Sequence, residues 1–246
     1  MSIRAVAFDI DGTLYPEYKL YLRSMPLVMR YPRFMRAYAR ARRALRTDVY
    51  TEPFREAQAA RMLASLKKKV TRDSCSSAAD LIEHRICAHW KKVFTGIRPF
   101  AGTSEALRKL HAQGYVIGAL SDFPLGAKLE VLGLDAYFSV RFSAEDTGHL
   151  KPSPVPFAKL AERMSCSPHE VLYVGNSLDK DIIGARNYGM YTAHFIAPLR
   201  WKRKGGRRTV VRLPDEDDPR LAHIVFSSYH DLPGAVDQLQ ELVGAI

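Results

Sequence analysis

The feature that most constrains this chain is Ala5-Val6-Ala7-Phe8, an unbroken apolar run that stops abruptly at Asp9-Ile10-Asp11-Gly12-Thr13. A continuous apolar run this short suits a strand buried on both faces that ends in a polar turn. Similar runs recur at Tyr115 to Leu120, Val171 to Val174, Tyr191 to Ile196 and, more weakly, Ile224 to Phe226. Between them lie helix-like stretches: Ser104 to Ala112 with Gly114 as a stop, Pro154 to Met164, and Asp179 to Tyr188 stopped by Gly189. Strands alternating with such helices imply right-handed crossovers and a mainly parallel sheet covered on both faces.

The expected fold class is therefore α/β, a Rossmann-like parallel sheet, but one segment breaks the alternation. From Tyr15 to about Thr95 the chain reads as helical throughout. Pro32 can open a helix in which Phe34, Tyr38, Ala41 and Leu45 share one face and Arg33, Arg36, Arg40 and Arg43 another. A second helix is expected near Phe54 to Lys68. A third, from Ala78 to Phe94, puts Leu81, Ile82, Ile86, Trp90 and Phe94 on an apolar stripe. Charge marks the same boundary: residues 15 to 95 hold 18 Lys and Arg against 7 Asp and Glu, so the whole net charge of +11 resides there. We expect a core made of residues 1–14 and 96–246, and an all-helical, arginine-rich cap subdomain over 15–95.

At 246 residues, with 47% apolar and 26% charged side chains, the chain can bury a sizeable core, which excludes disordered and low-complexity classes. Its three cysteines, Cys75, Cys87 and Cys166, have no metal-ligand spacing and cannot all pair within the chain. No apolar run approaches the roughly 20 residues of a bilayer span, and Asp9 interrupts any secretory-type apolar region. A cytoplasmic setting is the expectation. His84 and His89 are five apart, where two ligands on one helical face are usually four apart, so the histidines suggest no metal site.

In a parallel sheet, ligands gather at the carboxyl ends of the strands. Asp9 and Asp11, two apart just after the first run, point the same way in an extended backbone. Two carboxylates held together call for a shared cation or proton, and oxygen ligands favour Mg²⁺. Gly12 permits a tight turn and Thr13 adds a hydroxyl. Asp11-Gly12 taken alone reads as an ordinary turn.

Four elements in order change that reading. AVAFDIDGTLYP, Leu120-Ser121-Asp122, Lys151-Pro152 within GHLKPSPVPF, and Val174-Gly175-Asn176-Ser177 followed by Asp179, Asp181 and Gly184-Ala185 resemble the four signatures of the haloacid dehalogenase-like superfamily of aspartate-nucleophile phosphohydrolases. The resemblance covers residues 1–16 and about 97–200, and the helical segment matches the family's inserted cap in position only. It implies Asp9 as nucleophile and Asp11 as general acid and base. It also implies Ser121 and Lys151 on the phosphoryl group, with Gly12, Thr13 and Asp122 lining the phosphate site. Asp9, the Asp11 carbonyl and Asn176 would hold Mg²⁺, with Asp181 and Asp179 in support. Many relatives carry Asp where this chain has Asn176, so the site loses one negative charge.

The implied activity is a Mg²⁺-dependent phosphomonoester hydrolase acting through an aspartyl phosphate on a small phosphorylated substrate. The alternative is a catalytically weak phosphoester- or polyanion-binding regulatory protein on the same fold. Dehalogenation is disfavoured because Asp11 is retained, while phosphomutase and phosphonate hydrolase chemistry stay open. Arg23 to Arg46 contains eight arginines, no acid, and Tyr31, Phe34 and Tyr38. We read it first as a solvated face or a basic lid over the site. Nucleic acid or an acidic membrane surface is the weaker reading. A second basic cluster, Arg200 to Arg212, precedes Asp215-Glu216-Asp217-Asp218 and reads as an exposed loop or hairpin.

Overall fold

The structure is a computed structural model that describes residues 2–48, 50–197, 209–213, 218 and 220–245. The Arg200 to Arg212 cluster and the acidic run after it lie largely outside the described residues.

The first apolar run forms β1 (Ala5–Phe8), and all four of its residues are buried. The described chain then makes α1 (Tyr18–Arg30), α2 (Pro32–Ala44), α3 (Phe54–Ser65), α4 (Arg72–Ile82), a π-helical segment (Glu83–Cys87) and α5 (Ala88–Phe94) before the next strand. There follow α6 (Thr103–Ala112), β2 (Val116–Ser121), α7 (Lys128–Val131), β3 (Val140–Ser143), α8 (Pro154–Arg163), β4 (Val171–Gly175), α9 (Gly184–Asn187), β5 (Tyr191–Phe195), β6 (Val210–Val211), β7 (Ile224–Phe226) and α10 (Leu232–Gly244).

The strands form one sheet in the order β3-β2-β1-β4-β5-β7-β6. Every pairing is parallel except β6 with β7. The strand order reverses direction around β1, which places a crevice between the carboxyl ends of β1, β2 and β4. Both sheet faces are covered because side chains alternate along each strand. Val6 and Phe8 pack with Leu107 and Leu110 of α6 and with Val236 and Leu239 of α10. Ala5 and Ala7 pack on the other face with Phe157 and Leu160 of α8 and Ala185 of α9.

The helices between β1 and α6 have an apolar centre of their own: Phe34, Tyr38, Ala41, Met62, Ile82 and Ile86. Burying each of its larger side chains is worth roughly 1.5–3 kcal/mol. Thr71 starts α4 with a reciprocal capping box to Ser74. The expected apolar stripe holds at Ile82, Ile86 and Phe94, but Leu81 is exposed. The π-helical turn at Glu83–Cys87 inserts extra backbone into the helix, so residues on either side of it fall out of the 3.6-residue phase. Two strands carried no clear sequence signal. β3 is an edge strand with only Phe142 and Ser143 buried, and β6 has only two residues.

Candidate active site

The turn after β1 leaves the sheet at Asp9, whose amide donates to the Val174 carbonyl of β4 at 2.8 Å. Gly12 adopts φ +89°, and a Cβ there would lie 2.3 Å from Asn176 Nδ2 and 3.0 Å from Glu17 Cδ. Only glycine lets the β1 turn close against the β4 turn and the start of α1.

Asp9 is buried. Its Oδ1 accepts from Lys151 Nζ at 2.7 Å and its Oδ2 from Thr13 Oγ1 at 2.7 Å. Lys151 is itself 1% exposed. Its ammonium also donates to Asp181 Oδ1 at 2.7 Å, to Tyr173 OH at 2.9 Å and to the Leu120 carbonyl at 3.3 Å. Asp181 Oδ2 accepts from the Ser177 amide at 3.0 Å. Burial pushes the Asp9 carboxyl up to about 7, Lys151 opposes the shift, and Asp181 and Asp11 add to it. A buried ammonium between two carboxylates stays charged, and Lys151 is held well above its ordinary range despite burial.

Asp9 and Asp11 each have their own cation, and Asp11 stands close enough to Asp9 to add to its upward shift. Asp11 Oδ1 accepts from Lys128 Nζ at 2.7 Å and from Tyr15 OH at 2.5 Å, while its Oδ2 accepts from Ser121 Oγ at 2.6 Å. Burial opposes ionisation of Asp11, but Lys128 and these hydroxyls outweigh it and hold the carboxyl below its ordinary value. Ser121 Oγ also accepts from the Phe123 amide at 3.0 Å.

Asp122 is held by Lys151 and Arg46. Its Oδ1 accepts from the Lys151 amide at 3.1 Å, and its Oδ2 lies 2.7 Å from Arg46 Nη2. Asp181 reaches the cluster, whereas Asp179, two residues earlier in a helical turn, points elsewhere and is exposed. Asn176 borders the Gly12 turn beside Glu17, an acid to which no sequence motif pointed.

Lys128, Tyr15 and Tyr173 also escaped sequence reading, as did two arginines of the basic run. Arg42 is 5% exposed. Its guanidinium donates to the Asp122 carbonyl at 2.6 Å, pairs with Glu145 at 2.5 Å and lies 4.2 Å over the Phe123 ring. Arg46 also bonds the Lys151 carbonyl. The end of α2 is thus fastened to the rim of the site, and Trp90 packs edge-on against Phe123 at 4.9 Å. Beyond the Arg42–Glu145 pair lies a cavity of about 800 Å³, lined by Tyr38, Phe54, Gln58, Glu83, Glu145 and Thr147 among others.

Among the described residues no group of three or more His, Cys, Asp or Glu side chains is placed to hold a metal. The β1 and β4 turns instead offer the Asp9 carboxylate and, against Gly12, the Asn176 amide. These hard oxygen donors, beside a carboxylate whose burial Lys151 only partly offsets, fit Mg²⁺.

The model of the haloacid dehalogenase-like hydrolases matches residues 3–189. A glyceraldehyde 3-phosphate phosphatase from Methanopyrus kandleri is 29% identical over 230 residues, covering 88% of this chain and 91% of that one. The pyrophosphatase PpaX of Bacillus mycoides is 27% identical over 87% of this chain and 92% of its own. The crystal structure of a β-phosphoglucomutase from Clostridium difficile superposes with a TM-score of 0.65 at 16% identity, over 99% of this chain and 100% of that one, a likeness of fold.

Proposed function

Because this chain belongs to the haloacid dehalogenase-like hydrolases, we propose that it is a Mg²⁺-dependent phosphomonoester hydrolase that works through an aspartyl phosphate on Asp9. The substrate class is a small phosphorylated metabolite, in keeping with relatives named for glyceraldehyde 3-phosphate and pyrophosphate. Residues 1–14 and 96–246 form the catalytic core in this reading, and 15–95 act as a cap that closes over the substrate and excludes water.

Asp9 Oδ attacks phosphorus as the ester P–O bond breaks, and the leaving oxygen takes a proton from Asp11. Water then attacks the phosphorus of the aspartyl phosphate, Asp11 takes the water proton, and inorganic phosphate leaves with Asp9 restored. The ionised Asp11 of this structure is the form needed for the second step. Substrate binding takes the Ser121 hydroxyl over to a phosphoryl oxygen and frees Asp11 to be protonated. Lys151 neutralises Asp9 and the transferring group, and Thr13 orients the attacking carboxylate. Bound Mg²⁺, held by Asp9, the Asp11 carbonyl and Asn176, would offset the charge of the phosphoryl oxygens.

The observation that carries this reading is the convergence of two hydrogen-bonded networks at one edge of the sheet: Asp9 and Asp181 share the Lys151 ammonium, and Asp11, close enough to raise the Asp9 carboxyl, bonds Ser121. The test is phosphate release from p-nitrophenyl phosphate and a metabolite panel, with and without Mg²⁺, for wild type and Asp9→Asn. Metal-dependent turnover that Asp9→Asn abolishes is expected. A folded wild-type protein that binds phosphoesters without turning any over would instead establish the binding-protein alternative.

A further inference from the structure

α1 carries an apolar stripe that is exposed among the described residues. Tyr18, Tyr21, Leu22, Met25 and Met29 are 56, 55, 65, 47 and 74% exposed. At about 100° per residue these five positions fall within an arc of about 100°, a single face. The opposite side of the helix is its packed side, where Leu20 and Ser24 are buried. Between the two faces Lys19, Arg23 and Arg30 form a basic column. Arg23 is anchored to the Val93 and Thr95 carbonyls at the end of α5, which holds α1 rigidly against the fold.

The charge continues beyond the helix. α2 starts only one residue after α1 ends, and Arg33, Arg36, Arg40 and Arg43 are exposed along it. From Tyr18 to Arg46 there are nine basic residues and no acidic one. Arg42 and Arg46 are spent on the rim of the active site, whereas the four exposed arginines of α2 make no ion pair among the described residues.

We propose that α1 and the exposed face of α2 dock this protein onto an anionic lipid bilayer surface. A bilayer interface accepts both halves of the pattern. Leu22, Met25 and Met29 enter the boundary between headgroups and acyl chains, Tyr18 sits at headgroup level, and the arginines meet lipid phosphates. A nucleic acid would take the arginines but has no apolar phase for the stripe. The attachment is peripheral, since no described helix is long and apolar enough to cross a membrane. Docking here also reaches the catalytic turn: Tyr21 OH donates to Glu17 at 3.0 Å, and Glu17 abuts Gly12.

The test is sedimentation of the full chain with vesicles of phosphatidylcholine containing about a quarter phosphatidylglycerol, against pure phosphatidylcholine. It compares wild type with the doubles Leu22→Glu/Met29→Glu and Arg33→Glu/Arg36→Glu. Wild type should bind the anionic vesicles and not the neutral ones. Each double should lower partitioning about tenfold or more, with an unchanged circular dichroism spectrum and unchanged turnover of soluble p-nitrophenyl phosphate. Binding that falls for the arginine double but not for the apolar double overturns the proposal in favour of simple polyanion attraction, and tighter binding to a DNA duplex than to vesicles overturns it likewise. A wild-type dimer that the apolar double dissociates, with no vesicle binding, assigns the stripe to a second copy of this chain and also overturns it.

Discussion

Lys151 Nζ stands 2.7 Å from Asp9 Oδ1 and shares the same distance with Asp181 Oδ1, so one buried ammonium holds two buried carboxylates apart. Breaking such a unit by removing its only cation leaves like charges facing each other away from water. Lys151→Met should cost about 3–5 kcal/mol of stability and reduce turnover by roughly 10³-fold or more. The two effects are separable. Adding Asp181→Asn removes the repulsion, so the double variant should regain much of the urea stability while turnover stays lost. Recovery of activity together with stability would show that Lys151 acts only as a structural counter-ion.

Asn176 is the uncharged member of the proposed metal-ligand set, and its amide lies against the Gly12 turn. Asn176→Asp adds a hard anionic ligand to a site already containing the buried Asp9. Without metal the extra charge should lower the melting temperature, and Mg²⁺ should restore it. Mg²⁺ affinity by calorimetry should rise about tenfold, since affinity at such oxygen sites follows the count of charged ligands. Equal affinities for the two proteins would place Asn176 outside the metal's coordination.

Much of this arrangement was legible because parallel strands have a strong local signature. The runs at β1, β2, β4, β5 and β7 are short and mostly apolar, and Asp9, Ser121 and Asn176 follow or end three of them, so spacing alone brings these residues to one edge of the sheet. Lys128 and Arg42 were not legible, because each arrives through the tertiary fold from an element without a recognisable motif, and Tyr15, though inside the first signature, has no spacing that marks its hydroxyl as a partner of Asp11. The arginine-rich helix shows the limit most clearly. Periodicity separated its buried and exposed faces correctly at Phe34, Tyr38, Arg33 and Arg36, yet nothing local distinguishes Arg42 and Arg46, which reach the core, from their solvated neighbours.

Arg42 joins α2 to the β2 and β3 loops through three directed contacts: the Asp122 carbonyl, the Glu145 carboxylate and the Phe123 face. Burial already pushes the Glu145 carboxyl upward, with Arg42 opposing the shift. Arg42→Ala strands Glu145 and opens a gap at the rim, which should cost about 2–4 kcal/mol. Arg42→Lys should recover little, because a point-like ammonium cannot serve a carbonyl, a carboxylate and a ring at once. Thermal unfolding of the two variants checks this. Full recovery by lysine would mean that charge alone matters there.

A pH-dependent part of stability comes from the far side of the sheet. His223 is 7% exposed and joins β5 next to β7, its Nδ1 3.0 Å from the Thr192 amide and its Nε2 3.1 Å from Arg186. Burial, then Arg186 and Arg212, lower its pKa to about 3. The ring is therefore neutral in the folded protein through the whole range above that value, while in the unfolded chain it titrates near 6.5. Above pH 7 both states are neutral and His223 adds no pH dependence. Between 6.5 and 3 the unfolded chain binds the extra proton, so stability falls as pH falls, by up to about 1.4 kcal/mol per pH unit. His223→Gln should be somewhat less stable at pH 7.5 yet lose less on acidification. Urea midpoints for both proteins from pH 7.5 to 5 should converge, and parallel curves would remove His223 as the source.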